Sequence, residues 1–259
     1  MAAAPIRDID RSDADRLTEF IRTCVRDAGA KGAVVGISGG VDSAVIVKLC
    51  ADALGGENVL AVFMPTAVTS AEDYRQTMQM CRDWNVNYAA VSIQPAVDAF
   101  SGMLLTGKEA PLEKGNIMSR CRMIVLFDRA KKENSLVFGT TNRSELLMGY
   151  FTKFGDGAED VMPMNGLYKT QVWQLARVIG VPQEIIDKVP TAGLWEGQSD
   201  EEEMGISYHD LDIVLNALEQ GASDEEAAKL GNVSVTKVSE IRSQMHRMEH
   251  KRLPARTPQ

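Results

Sequence analysis

The stretch Ala33-Val-Val-Gly-Ile-Ser-Gly-Gly-Val-Asp-Ser-Ala44 decides the fold. Residues 33–37 form an apolar run that reads as a buried strand, and residues 44–54 keep apolar side chains at helical spacing. Between them the chain must turn sharply. The pair Gly39-Gly40 lets the main chain approach an anion with no Cβ in the way. The free N–H groups and dipole of the following helix add to the attraction. Gly36, Ile37, Ser38, Gly39, Gly40, Val41, Asp42 and Ser43 therefore read as a phosphate cradle. Asp42 carries the one charge in the loop, and a carboxylate beside phosphates makes sense as a Mg2+ ligand. A plain Gly-rich turn leaves this combination of glycines, hydroxyls and acid unexplained.

Outward from the loop, strand patterns follow at 59–64, 88–93 and 135–139, separated by helical patterns at 71–84, 95–105 and 116–132. A helix over 10–28 precedes the first strand. Alternation of this kind predicts an α/β fold with a doubly wound, mostly parallel sheet covered on both faces. Ligands bind such sheets beyond the carboxyl ends of the strands, so residues 38–43 and 140–145 are expected to share one crevice. The last third reads as helices over 170–179, 208–219, 224–230 and 235–248. The expected organisation is one domain: an N-terminal helix (1–30), a nucleotide-binding core (31–190), a mobile loop (191–205) and C-terminal helices (206–259). The acid run Asp200–Glu203 reads as a solvated part of that loop, and 254–259 as a loose tail.

The 259 residues carry a net charge of −8 with 25% charged residues, ordinary for a globular protein but unsuited to general nucleic-acid binding. No apolar run approaches the ~20 residues of a membrane span, and residues 1–5 lack the features of a signal peptide. Cys24, Cys50, Cys81 and Cys121 are scattered, without a CxxC pair, and read as reduced thiols. A cytoplasmic protein is expected, with no membrane partner.

The loop lacks the Gly-Lys-Ser/Thr of the Walker motif. It resembles instead the Ser-Gly-Gly-x-Asp-Ser loop of the ATP pyrophosphatases, which implies a grip on the β,γ-pyrophosphate and chemistry at the α-phosphorus. Further motifs follow in order: Gly115-Asn116 through Met123, Gly139-Thr-Thr-Asn-Arg-Ser-Glu145, Gly149-Tyr-Phe-Thr-Lys-Phe-Gly-Asp-Gly157, Leu167-Tyr-Lys-Thr-Gln-Val172, Pro190-Thr-Ala-Gly-Leu-Trp195 and Glu249-His-Lys-Arg252. Together, from Val34 to Pro254, they resemble the NAD synthetases of bacteria and archaea. Ser119 and Cys121 depart from the usual pattern and should only retune packing around Arg120.

That resemblance implies a Rossmann-like, adenine nucleotide alpha-hydrolase-like fold and a homodimer. It implies ATP-dependent amidation of deamido-NAD by ammonia, through an acyl-adenylate, with release of AMP and pyrophosphate. Asp42 and Glu145 match the magnesium-binding acids. Thr140, Lys169 and Thr191 match ATP contacts, with Lys169 near the α-phosphate. Arg120, Lys153, Asp160, His250 and Lys251 match positions that hold deamido-NAD, and Asp156 a position that receives or deprotonates ammonium. Relatives that use glutamine append a whole amidohydrolase domain, for which the assigned segments leave no room. Free ammonia is thus the expected donor. In the family the loop over 191–205 covers the site when substrates bind, which gives the acid run a gating role as an expectation.

Three other readings compete, of which a degenerate nucleotide-binding protein without turnover is disfavoured by the presence of every expected acid and cation. A different ATP pyrophosphatase, such as a GMP-synthetase-like ligase, explains the first loop but not the later motifs. Residues 224–241 scan as a helix-turn-helix, yet the supposed recognition helix offers few basic or amide side chains at its start. A plain helical hairpin is expected there.

Overall fold

The apolar runs form β1 (Gly32–Gly36), β2 (Val59–Phe63), β3 (Asn87–Ala90) and β4 (Ser135–Phe138), joined in one parallel sheet of order β3-β2-β1-β4. This is a computed structural model, and it describes residues 3–107, 110–195, 197–255 and 257. Helices α1 (Arg11–Asp27), α2 (Val41–Leu54), α3 (Ala71–Asp83), α4 (Gln94–Met103) and α5 (Pro111–Glu133) lie before or between the strands. After β4 come α6 (Arg143–Met148), α7 (Lys169–Ile179), α8 (Gln183–Ile186), α9 (Asp200–Met204), α10 (Tyr208–Glu219), α11 (Asp224–Leu230), α12 (Val235–Arg247) and α13 (Glu249–Arg252).

Strand side chains alternate between the two faces, as a period of two requires. Val34, Val62 and Val137 pack under α4 and α5, against Val97, Ile117 and Met118. Ala33, Val35, Ala61, Phe63 and Phe138 face the other layer, with Ile21 of α1, Ile46 of α2 and Leu175 of α7. A separate apolar cluster joins α6 to α10, α11 and α12 through Leu147, Tyr208, Leu211, Ala227 and Ile241. The chain winds from β1 through β2 to β3 in one direction and places β4 on the other flank of β1. The crevice between the ends of β1 and β4 is therefore the switch point where such sheets bind ligands.

Several boundaries differ from the sequence pattern for local reasons. Helix α2 starts at Val41, straight after Gly40, so Asp42 and Ser43 lie in its first turn. Strand β3 stops at Ala90, because Ile93 already adopts the helical conformation that starts α4. Helix α5 begins at Pro111, a residue suited to the first helical position. The acid run is the main correction: it is the helix α9 rather than a loop, with Asp200 only 3% exposed while Glu202 and Glu203 stay exposed as expected. Glu196 and part of the tail at 254–259 lie outside the described residues. Among the described residues, no helix is long and apolar enough to cross a membrane. All four cysteines are free thiols, and burial pushes Cys81 up to about 12.

Candidate active site

The loop between β1 and α2 is organised by its own hydroxyls. Ser38 N–H donates to Ser43 Oγ at 3.1 Å, Gly40 N–H donates to Ser38 Oγ at 3.2 Å, and Ser43 Oγ donates to the Gly40 carbonyl at 3.0 Å. Ile37 N–H donates to the Val62 carbonyl at 3.0 Å and ties the loop to β2. Gly39 sits at φ +91°, and an added Cβ would meet the Asp73 side chain at 3.0–3.3 Å, so glycine is required there. No side chain caps α2. Its first-turn N–H groups, which have no intrahelical partner, are left to face the crevice.

Lys169, the first residue of α7, points into this crevice and is 2% exposed. Its ammonium forms an ion pair with Asp42 Oδ2 and lies 3.9 Å from Glu145 Oε1. It also stands over the ring of Tyr208, 5.3 Å from the centroid. Burial opposes the ammonium, but Asp42 and Glu145 outweigh it and hold Lys169 above its ordinary value. Burial first, and the Asp42 charge second, push the Glu145 carboxyl well above the usual range. Asn142 organises the acids: its Nδ2 donates to Asp42 Oδ1 at 3.0 Å, while its Oδ1 caps the Glu145 N–H at 3.0 Å. Two crowded carboxylates, one strained toward neutrality, fit a hard dication that takes oxygen ligands. Among the described residues no group of three or more such ligands stands together, so phosphate oxygens and water would complete the sphere.

Arg120, Lys153, Asp156, His250 and Lys251 form a second group around 149–157 and the C-terminal helices, whereas Asp160, Thr140 and Thr191 stand apart from it. Lys153 Nζ donates to the His250 carbonyl at 2.5 Å and the Leu253 carbonyl at 3.4 Å, and Arg120 donates to the Lys153 carbonyl at 3.3 Å. Lys251 Nζ donates to the carbonyls of Gly149 and Phe151, each at 2.7 Å, and burial lowers its pKa. His250 is exposed and its Nδ1 donates to the Arg247 carbonyl at 2.9 Å. Asp156 accepts from Thr152 N–H at 2.9 Å. Asp160 commits one oxygen to the Val137 N–H at 2.8 Å, which makes it a support for β4 as well as an exposed acid. Thr140 is half-buried at the end of β4, and Thr191 is exposed and accepts from Gly193 N–H at 3.1 Å. The short helix α6 links the groups: Glu145 stands in its first turn, and its last carbonyls receive Arg252.

The family model for NAD synthase matches residues 14–255. The chain belongs to the NAD synthase family. An NH(3)-dependent NAD(+) synthetase of Thermococcus sibiricus is 44% identical over 238 residues, covering 92% of each chain. The structure of an NMN synthetase from Francisella tularensis is similar at TM-score 0.84 and 35% identity, covering 96% of this chain and 98% of that one. An NH3-dependent NAD synthetase from Campylobacter jejuni, in complex with the nitrate ion, is similar at TM-score 0.82 and 30% identity, covering 96% and 98%.

Sequence reasoning missed several residues of this NAD synthase family site. Asp200 accepts from Tyr150 Oη at 3.1 Å, Tyr208 Oη at 3.2 Å and Ala192 N–H at 3.0 Å, which pins the 191–205 segment against the Lys169 cluster. Burial holds Asp200 above its usual pKa. Asp212 was legible in principle, as an acid on the apolar stripe Tyr208, Leu211, Asp212, Leu215. It is fully buried and accepts from Ser144 Oγ at 2.5 Å and Thr170 N–H at 2.8 Å, while Lys169 N–H donates to Ser144 Oγ at 3.0 Å. Asp212 thereby caps α7 and locks it to α6, fixing Lys169 and Glu145 together. Asp212→Ala is expected to cost roughly 2–4 kcal/mol in a denaturant titration, since it strands buried donors. Asp212→Asn should cost less, because one acceptor survives. Equal stability of the Ala variant and the parent would contradict the locking role.

Glu159 offers a pH test. Its Oε2 is buried with no partner among the described residues, and burial, with Asp156 second, pushes the carboxyl up to about 8. An acid kept neutral when folded but ionised when unfolded loses stability as pH rises from 4.5 to about 8. Glu159→Gln removes that loss. Its melting temperature should match the parent near about pH 4.5 and exceed it by a widening margin toward about pH 8. A margin that stays flat would show that Glu159 ionises normally.

Proposed function

We propose that the crevice at the β1–β4 switch point activates the nicotinate carboxylate of deamido-NAD with ATP and passes it to ammonia, giving NAD, AMP and pyrophosphate. The observation that carries this reading is the buried Lys169 held by Asp42 and Glu145 beside an uncapped helix start. The cradle 36–43 binds the outer phosphates and aims the α-phosphorus at the crevice. The carboxylate oxygen attacks that phosphorus and pyrophosphate leaves. Lys169 stabilises the charge that grows on the α-phosphate oxygens, from a preorganised position inside a low-dielectric pocket. Asp42 and Glu145 would hold Mg2+, which supplies charge neutralisation to the pyrophosphate.

A free carboxylate is a poor acyl donor, whereas the acyl-adenylate carries AMP as a good leaving group. Ammonia then attacks the carbonyl carbon and AMP departs. Asp156 takes the proton from ammonium. Arg120, Lys153 and Lys251 present cations and His250 a ring to the dinucleotide's phosphates and carboxylate. Thr140 and Thr191 contact ATP. The 191–205 segment, anchored through Asp200, closes over bound substrates. The chain works as a homodimer, which sedimentation velocity would show as twice the monomer mass.

The test is direct. Purified chain with ATP, Mg2+, deamido-NAD and ammonium should form NAD, AMP and pyrophosphate in equal amounts. Glutamine at matched concentration should support little turnover, and robust glutamine use by the lone chain would overturn the ammonia assignment. The likeness to an NMN synthetase favours one second reading, in which the pyridine carboxylate arrives on a mononucleotide. Nicotinate mononucleotide run in parallel decides between them by the ratio of kcat/KM values.

A further inference from the structure

A cation that none of these roles uses stands on the other side of the phosphate loop. Lys188 follows α8, whose Ile185 and Ile186 are buried in the core against α2, so its backbone has a rigid base. Its Nζ donates to the Gly39 carbonyl at 3.0 Å and to Asp73 Oδ1 at 2.7 Å. The Asp73 side chain in turn lies against Gly39 and accepts from Ser70 Oγ at 2.7 Å. Both charged side chains are partly open, 27% and 29% exposed. The outer edge of the cradle thus carries one acid and one ammonium, both bonded to or packed on the same glycine.

The charge arrangement is asymmetric with respect to an arriving anion. Asp73 alone would repel phosphates from Gly39, and Lys188 cancels that repulsion. A phosphate oxygen is also a stronger acceptor for an ammonium than a neutral carbonyl is. We propose that Lys188 is a further nucleotide-binding residue, which exchanges the Gly39 carbonyl for an outer phosphate of ATP, and that Asp73 is the holder that keeps it aimed at the loop when ATP is absent. Lys188 then also slows departure of the pyrophosphate product. This rests on the cradle being the phosphate site.

Calorimetric titration of the full chain with Mg2+-pyrophosphate, together with steady-state KM values, separates this from a purely structural staple. Lys188→Met should weaken pyrophosphate binding and raise KM for ATP by about tenfold or more, with KM for deamido-NAD within about twofold. Lys188→Arg keeps the charge and should stay near the parent. Lys188→Gln serves if the Met variant does not fold, and should fail in the same way. Asp73→Asn frees the lysine, so pyrophosphate should bind as tightly as before or tighter. A staple predicts the opposite: Asp73→Asn and Lys188→Met would suffer equally, and that result overturns the proposal. Unchanged pyrophosphate binding by Lys188→Met overturns it too, while leaving the cradle intact. A parent protein that binds no pyrophosphate would sink both readings.

Discussion

Lys169→Met is expected to lower kcat by roughly 10²–10³-fold, the usual cost of removing one preorganised donor from a site where charge develops. The residue is buried with its ammonium over the Tyr208 ring and paired with Asp42, so it would need little reorganisation as charge builds on the α-phosphate. The accompanying metal dependence is diagnostic. Removing the ammonium takes away a cation that competes with Mg2+ for Asp42, so half-saturation by Mg2+ should not rise, and can fall, at a pH high enough to ionise Glu145. Loss of turnover with unweakened Mg2+ affinity therefore points to transition-state stabilisation by Lys169. A parallel collapse of Mg2+ affinity would mean instead that the lysine only holds the acids in place. Lys169→Arg is no safe control, because a planar fork cannot replace a point charge in a closed pocket.

Asp42→Asn should have an effect of similar size on a different quantity. The substitution keeps the shape next to Asn142 and removes the charge that faces Lys169 and would hold Mg2+. AMP formation in the absence of ammonium, followed by rapid quench, isolates the first half-reaction. It should fall by about 10²–10³-fold and recover in part at high Mg2+, because Glu145 remains. Intact Mg2+-dependent AMP formation in Asp42→Ala would remove Asp42 from the metal site altogether.

The loop and its neighbours were legible because they are local. Residues 33–44 show a strand, a glycine turn and a helix start within one short window, and the structure places them so. The convergence of β1 and β4 also followed from the alternation of strands and helices, since parallel sheets bring carboxyl ends to one edge. The sequence could not show how the helices lock on that edge. Asp212 meets Ser144 and Thr170, 68 and 42 residues away, and Lys188 meets Gly39 at a separation of 149. Such pairs depend on packing of the third layer, and no periodicity encodes them. The acid run misled for a related reason. Its composition is that of a solvated surface, yet the hydroxyls of Tyr150 and Tyr208 make burial of Asp200 affordable by satisfying its oxygens.

In the structure Arg120, Lys153, His250 and Lys251 are bonded mostly to backbone carbonyls. Each keeps its charge or ring near the surface of the second group, where a dinucleotide could replace a carbonyl as acceptor. Lys169 differs from them in that its partners are the side chains of Asp42 and Glu145.

Attack by the pyridine carboxylate on the α-phosphorus is tested most directly by isotope transfer. Deamido-NAD carrying 18O in both carboxylate oxygens should hand one label to AMP and keep one in the amide carbonyl of NAD, with none in pyrophosphate. AMP free of label, or labelled orthophosphate formed alongside ADP, would contradict the account.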